Sequence, residues 1–149
     1  MRAVVQRVGK ASVSVDRKVV GQIESGLLVF VGVGQGDTQQ DADYIATKIL
    51  GMRIFQDDAG KMNLDVTQID GSVLIVSQFT LFGDVRKGKR PDFTMAALPE
   101  DAKGLIEQII QRINKADIPV QTGIFGAHMV VDIENDGPVT IMLDSRKVF

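Results

Sequence analysis

Leu27-Leu28-Val29-Phe30-Val31-Gly32-Val33 is the stretch on which the fold turns. An apolar run this dense and this short reads as a buried central strand. Upstream, Val4, Gln6 and Val8 alternate with Val5 and Arg7, and Val13-Ser14-Val15 continues the pattern after Gly9-Lys10. Asp16-Arg17-Lys18 is a turn before Val19, Val20 and Ile23, and Glu24-Ser25-Gly26 is a second turn. Connections this short favour antiparallel neighbours.

Downstream, the run ends in Gly32-Val33-Gly34-Gln35-Gly36-Asp37, and the spacing then changes. Ala42, Ile45, Ala46, Ile49 and Leu50 recur on one helical face. Thr38 is placed to cap that helix, with Asp41 three residues on near the positive end of the dipole. Gly51 suits a left-handed position past its end. Asp57-Asp58-Ala59-Gly60 has hairpin-turn chemistry between Arg53–Gln56 and Lys61–Leu64. Ser72 to Gln78 is a further strand. Phe82 to Ala97 is a long loop rich in glycine, charge and small residues, and such loops are functional or disordered. Pro99 opens a second helix at a tolerated position. Its apolar face is Ala102, Leu105, Ile106, Ile109, Ile110 and Ile113. The chain ends in two strand-like stretches, His128–Ile133 and Val139–Leu143, around a turn at Asn135-Asp136-Gly137-Pro138. The expected fold is α+β: a curved antiparallel sheet or barrel with two amphipathic helices packed on it, as one domain over residues 1–149.

A length of 149 residues is enough to bury a core without staples. The absence of cysteine removes disulfides and thiolate metal sites. Met1-Arg2-Ala3-Val4-Val5-Gln6-Arg7 carries charge inside its apolar stretch, unlike a signal peptide. No apolar run approaches the roughly 20 residues that span a bilayer. A cytoplasmic protein is expected. The formal net charge of -2 is not that of a protein that coats nucleic acid. Any RNA contact should be local. Arg86, Lys87, Lys89 and Arg90 are the cluster available for it, and a solvated loop is the other reading of the same residues.

Several motifs point nowhere in particular. The glycines from Gly32 to Gly36 follow a strand and precede a helix, but the spacing is neither G-x-G-x-x-G nor a P-loop. His128 is the only histidine. Ser77 lacks the G-x-S-x-G elbow that would make it half of a Ser-His machine. One histidine and scattered carboxylates show no metal-ligand spacing. Ser77-Gln78-Phe79-Thr80 is more pointed, because an apolar strand ends there in hydroxyl and amide side chains. These either line a site or satisfy backbone groups at the strand's end. For Gly137-Pro138, sequence physics alone favours a trans bond.

Taken together, Ser77-Gln78-Phe79-Thr80 and Asn135-Asp136-Gly137-Pro138-Val139-Thr140 resemble the two signature segments of the D-aminoacyl-tRNA deacylase family. The resemblance runs the whole length. It takes in Gln6-Arg7-Val8, Ala11-Ser12-Val13, Gly26-Leu27-Leu28, Arg53-Ile54-Phe55, Gly60-Lys61-Met62-Asn63-Leu64, Arg90-Pro91-Asp92-Phe93 and Gln121-Thr122-Gly123. It implies hydrolysis of the ester of D-aminoacyl-tRNA, and of mischarged glycyl-tRNA, with release of amino acid and tRNA. It implies a homodimer whose active site lies at the subunit interface, with no cofactor and no metal. Ser77, Gln78, Phe79 and Thr80 are then expected to line the catalytic pocket. Gly137 and Pro138, joined by a cis bond, are expected to reach into the partner's pocket and reject L-amino acids.

An activated ester needs an aligned water and donors for the developing oxyanion more than it needs a strong base. Backbone N–H groups near Phe79 fit the donor role, and the family resemblance implies that the substrate's own 2′-hydroxyl helps place or activate the water. Gln78 then orients the loop or is structural, and Phe79 packs under the terminal adenine or into the core. Two rivals differ in what they do. A serine esterase using Ser77 or Thr80 would cut a free D-amino-acid ester. A non-catalytic RNA- or nucleotide-binding dimer would bind tRNA and release no amino acid.

Overall fold

A computed structural model describes residues 1–148. Its strands are β1 (Arg2–Val15), β2 (Lys18–Ile23), β3 (Gly26–Gly32), β4 (Phe55–Gln56), β5 (Met62–Leu64), β6 (Ser72–Ser77), β7 (Val120–Thr122) and β8 (Val130–Asp144). Helix α1 (Gln39–Gly51) lies between β3 and β4, and α2 (Pro99–Asn114) between β6 and β7. A 3-10 turn, Phe79–Phe82, follows β6.

β1 organises the sheet. One of its edges pairs antiparallel with β3 from Arg2 to Val8 and with β2 from Ala11 to Val15, so β2 and β3 follow one another along it. The other edge carries β8. Beyond β3 come β6 and β7, and the sheet curls until β2 meets β7. Gly21 marks that closure, since a Cβ there would sit 2.6 Å from the carbonyl oxygen of Thr122.

The curl explains why Leu27–Val33 lacks a polar side. Leu27, Val29, Val31 and Val33 pack with Ala3, Val5, Val73 and Ile75 under both helices. The helices supply Ala42, Ile45, Ala46 and Ile49 from α1, and Ala102, Ile106, Ile109 and Ile113 from α2. Leu28 faces the other way. It joins Val8, Ala11, Val13, Ile23, Leu74 and Val76 in a second apolar cluster.

The α+β reading, with a curved sheet and two helices, holds, but the sheet is mixed. β3 pairs with β6, and β6 with β7, in parallel. Each of these pairs is joined through a helix, and only so long a connection lets strands run parallel. The last strand also differs from expectation. β8 is continuous and pairs with β1 on both sides of Gly137-Pro138, so no hairpin turn forms. β1 is long enough to hold both halves, and the intervening residues leave the ladder as a bulge. Gly51 is the last residue of α1 and is not left-handed, because the chain leaves through Met52 in an extended conformation. At the other end of α1, Asp41 accepts from the Thr38 N–H at 2.8 Å, closing a capping box.

Candidate active site

β3 and β6 pair in register up to Val31 and Ser77, so their C-terminal ends finish side by side. Gln78 N–H donates to the Val31 carbonyl at 2.7 Å and fixes the first residue beyond the sheet. The chain then tightens into the 3-10 turn, closed by Leu81 N–H to Gln78 O and Gly83 N–H to Thr80 O. The first N–H groups of such a turn have no carbonyl within it. Those of Phe79 and Thr80 are taken up by no other acceptor among the described residues.

A cavity of about 720 Å³ opens over these strand ends. Ser77, Gln78 and Phe79 line it, with Val31, Val33 and Val76 beneath. Its walls are Phe93, Thr94 and the residues from Ala96 to Leu98, the start of α2 at Pro99, Ala102 and Ile106, and the loop from Phe125 to Met129. Phe79 stands at the rim, 58% exposed, with its ring edge-on to Phe93 at 5.1 Å between centroids. Packing into the core is thereby ruled out for Phe79. Thr80 is on the turn but not in the cavity wall, and its hydroxyl accepts from the Gln78 side-chain amide. His128 lines the far wall and is exposed. No hydrogen bond joins it to Ser77 among the described residues.

Gly137 and Pro138 lie elsewhere. They are exposed on the β8 bulge, which sits between the Gln6–Thr140 and Val8–Asn135 pairings, opposite Arg7. The Gly137-Pro138 bond is cis. Gly137 has φ +124, and a Cβ there would fall 2.8 Å from Val139 Cγ2 and 2.9 Å from Arg7 Nη2. Arg7 is the buried post behind the bulge. It donates through Nε to Asp136 O at 3.1 Å and through Nη1 to Ile54 O at 2.7 Å. Beside it, the buried Asn135 Oδ1 meets no donor among the described residues. The sequence reading gave Arg7 no role of its own. The available signal was an arginine at a core-facing register of an alternating strand, where a charge stays only if it is bonded.

The basic residues Arg86, Lys87, Lys89 and Arg90 are all exposed on the loop after the 3-10 turn. Arg86 is committed to Asp84, with Nη2 2.6 Å from Oδ2. Hydrogen bonds from the Arg86 side chain and its backbone N–H hold the Asp84 carboxyl well below the usual carboxylate range. Lys87, Lys89 and Arg90 form no ion pair among the described residues.

The family model described as D-Tyr-tRNA(Tyr) deacylase matches residues 4–144. A protein of Thermosipho melanesiensis named D-aminoacyl-tRNA deacylase is 57% identical over 150 residues, covering 100% of both chains. A solved structure described as a c-Myc DNA unwinding element binding protein superposes with a TM-score of 0.90 at 40% identity, covering 97% of this chain and 98% of the other. A second, described as a probable eukaryotic D-amino acid tRNA deacylase, shares the fold with a TM-score of 0.79 at 18% identity, covering 95% and 97%. The curled sheet with its strand-end cavity is therefore that of an enzyme of the deacylase class, a hydrolase. More narrowly, the chain belongs to the D-Tyr-tRNA(Tyr) deacylase family.

Proposed function

We propose that this protein hydrolyses the ester linking a D-amino acid to the terminal ribose of tRNA, and the same ester of glycine on a mischarged tRNA. Water adds to the ester carbonyl carbon, the bond from that carbon to the ribose oxygen breaks, and a proton ends on the ribose oxygen. The observation that carries this reading is the juxtaposed ends of β3 and β6, which set the Phe79 N–H, unpaired among the described residues, at an apolar cavity. Such donors serve a developing oxyanion without reorganising. Ser77, Gln78, Phe79 and Thr80 form the catalytic segment by position, with Phe79 as a rim platform for the terminal adenine. The substrate's 2′-hydroxyl places the attacking water.

Chirality is read by main-chain atoms around Gly137 and Pro138, supplied by a second copy of the chain. Two observations support this. The bulge is exposed and outside its own chain's cavity. β8 is also a long edge strand whose Val130, Ile133 and Met142 side chains are exposed, and such an edge is a template for association. Carbonyls placed where an L side chain would project reject the abundant correct substrates by clash. Glycine has nothing to reject and is cut. Arg86, Lys87, Lys89 and Arg90 meet acceptor-end phosphates in the cytoplasm, where the substrate resides. No cofactor or metal is called on.

The test compares matched D-, L- and glycyl-tRNA in a deacylation assay with a metal chelator present. Rapid release of D-amino acid and glycine, with L-aminoacyl-tRNA spared, is the expected result. Comparable rates for D and L sink the filter. The 40% identical structure described as a c-Myc DNA unwinding element binding protein supports a second reading, nucleic-acid binding without catalysis. Binding of tRNA without release of amino acid would select it.

A further inference from the structure

The 3-10 turn Phe79–Phe82 contributes to two cavities. Phe79 lines the first, and Phe82 lines a second of about 470 Å³. The segment from Phe93 to Ala97 divides in the same way. Phe93, Thr94 and Ala96 face the first cavity, and Met95 lines the second.

The second cavity is chemically unlike the first. Arg2, Arg86 and Arg146 line it together with Asp84, Asp144, Phe82, Val85 and Met95. The Arg2 guanidinium lies over the Phe82 ring, 4.7 Å from its centroid. It is held there by Asp144 Oδ2 at 3.2 Å and Leu81 O at 3.0 Å, with its side chain still 36% exposed. One guanidinium face therefore rests on an aromatic ring while the side chain keeps contact with solvent. Val85 and Met95 are exposed apolar side chains on the same cavity. The Nη1 groups of Arg86 and Arg146 and the Nη2 of Arg2 donate to no acceptor among the described residues.

A fixed guanidinium plane, apolar walls and spare N–H donors together suit a nucleobase with its phosphate. We propose that this cavity binds the penultimate nucleotide of a single-stranded RNA end whose terminal aminoacyl-adenosine occupies the first. The inference rests on the deacylase reading above and extends it. A 3-10 turn of this length spans roughly 6–8 Å, about one nucleotide step, so adjacent nucleotides can straddle it. The penultimate base stacks on Arg2, continuing the Phe82–Arg2 stack outward. The intervening phosphate meets the spare guanidinium N–H groups. A free amino-acid ester gains nothing from this cavity.

The experiment measures kcat/KM on three D-aminoacyl esters: of adenosine, of the dinucleotide cytidylyl-adenosine, and of that dinucleotide with its first base removed. The wild-type enzyme is expected to cleave the dinucleotide ester about tenfold better than the adenosine ester, with the abasic dinucleotide losing most of the gain. Arg2→Gln should bring the dinucleotide to within about twofold of adenosine and leave the adenosine ester unaffected. Because Arg2 also pairs with Asp144, Met95→Glu at an exposed wall position is the second variant, with the same expectation. Equal cleavage of dinucleotide and adenosine esters by the wild type overturns the proposal, as does an equal loss on both in Met95→Glu. A gain kept by the abasic dinucleotide assigns it to phosphate alone and overturns the stacking site. Those outcomes leave the deacylase reading standing. Failure to cleave either the adenosine ester or D-aminoacyl-tRNA removes that reading and this one with it.

Discussion

Arg7 donates through Nε to the main-chain oxygen of Asp136 at 3.1 Å, from beneath the bulge that carries Gly137 and Pro138. The same guanidinium lies 3.1 Å from the Asp136 carboxylate, but that carboxylate is 62% exposed and the ion pair is worth little. The main-chain bonds matter more. Removing Arg7 strands the buried carbonyl of Ile54, which costs about 1–3 kcal/mol, and frees the part-buried carbonyl of Asp136, which costs less. Arg7→Ala should lower the urea midpoint accordingly and reduce D-aminoacyl-tRNA cleavage. Asp136→Asn should change stability by less than about 1 kcal/mol. Equal losses in the two variants would mean that the ion pair, not the backbone anchor, holds the bulge.

Gly137→Ala probes the bulge itself. At φ +124 an alanine is strained, and its Cβ would meet Val139 Cγ2 and Arg7 Nη2 at under 3 Å. The bulge must then move. A displacement of about 1 Å in a positioning element can cost on the order of a hundredfold in rate. The expected result is a loss of that order in kcat/KM for D-aminoacyl-tRNA, with global stability lowered by a few kcal/mol at most. Wild-type rates in this variant would remove Gly137 from the site.

Ser77→Ala and Thr80→Ala test whether a side chain attacks. Thr80 is outside the cavity wall, and Ser77 has no hydrogen-bonded base among the described residues. If main-chain donors and the substrate hydroxyl carry the reaction, each variant should keep activity within about tenfold of wild type in single-turnover assays. A fall approaching the roughly 10⁶-fold seen when a true nucleophile is removed would restore one of them to that role.

Much of this architecture was legible where local chemistry and tertiary context agree. Leu27–Val33 read as buried because it is apolar throughout, and both helices announced themselves through faces that do pack. The Ser77–Thr80 segment stood out because polar residues end an apolar strand. Three features were hidden. The direction of β6 relative to β3 was invisible, since a strand buried on both faces carries no mark of its partner's polarity. Asn135-Asp136-Gly137-Pro138 has turn chemistry, and only the length of β1 turns it into a bulge in a continuous strand. The cavity walls at Phe93, Thr94, Ala96–Leu98 and Phe125–Met129 come from loops without periodicity, so nothing in their spacing foretold that they meet.

Salt dependence separates a phosphate contact from a solvated loop at Lys87, Lys89 and Arg90. These three pair with no carboxylate among the described residues, whereas Arg86 gives its Nε and Nη2 to Asp84. Each cation that neutralises a phosphate adds about 0.7–0.9 to the slope of log affinity against log salt. Replacing all three by glutamine should flatten the slope of log kcat/KM by about 2 if they touch the acceptor end. An unchanged slope leaves them as solvated charges.

The last expectation concerns acid. Asp41 bridges the start of α1 to the chain's far end, accepting from the Thr38 N–H at 2.8 Å and from the Ser145 hydroxyl at 2.6 Å. Burial opposes its ionisation, but the hydrogen bonds from Ser145 and Thr38 and the nearby Met1 ammonium outweigh it, so its carboxyl titrates below the ordinary 3.8. A folded-state value below the unfolded one favours the native state above the unfolded pKa, and that contribution disappears as pH falls through the folded value. Asp41→Asn should therefore melt a few degrees lower than wild type at pH 7, on the order of 1 kcal/mol for a lost capping interaction. Below about pH 4 the two melting curves should converge as the wild-type carboxyl protonates. Ser145→Ala removes one of the main donors, brings the folded-state value closer to the unfolded one, and should raise the pH at which that convergence is complete. A gap between Asp41→Asn and wild type that stays constant from pH 7 to about pH 2.5 would show that the charge on Asp41 contributes nothing.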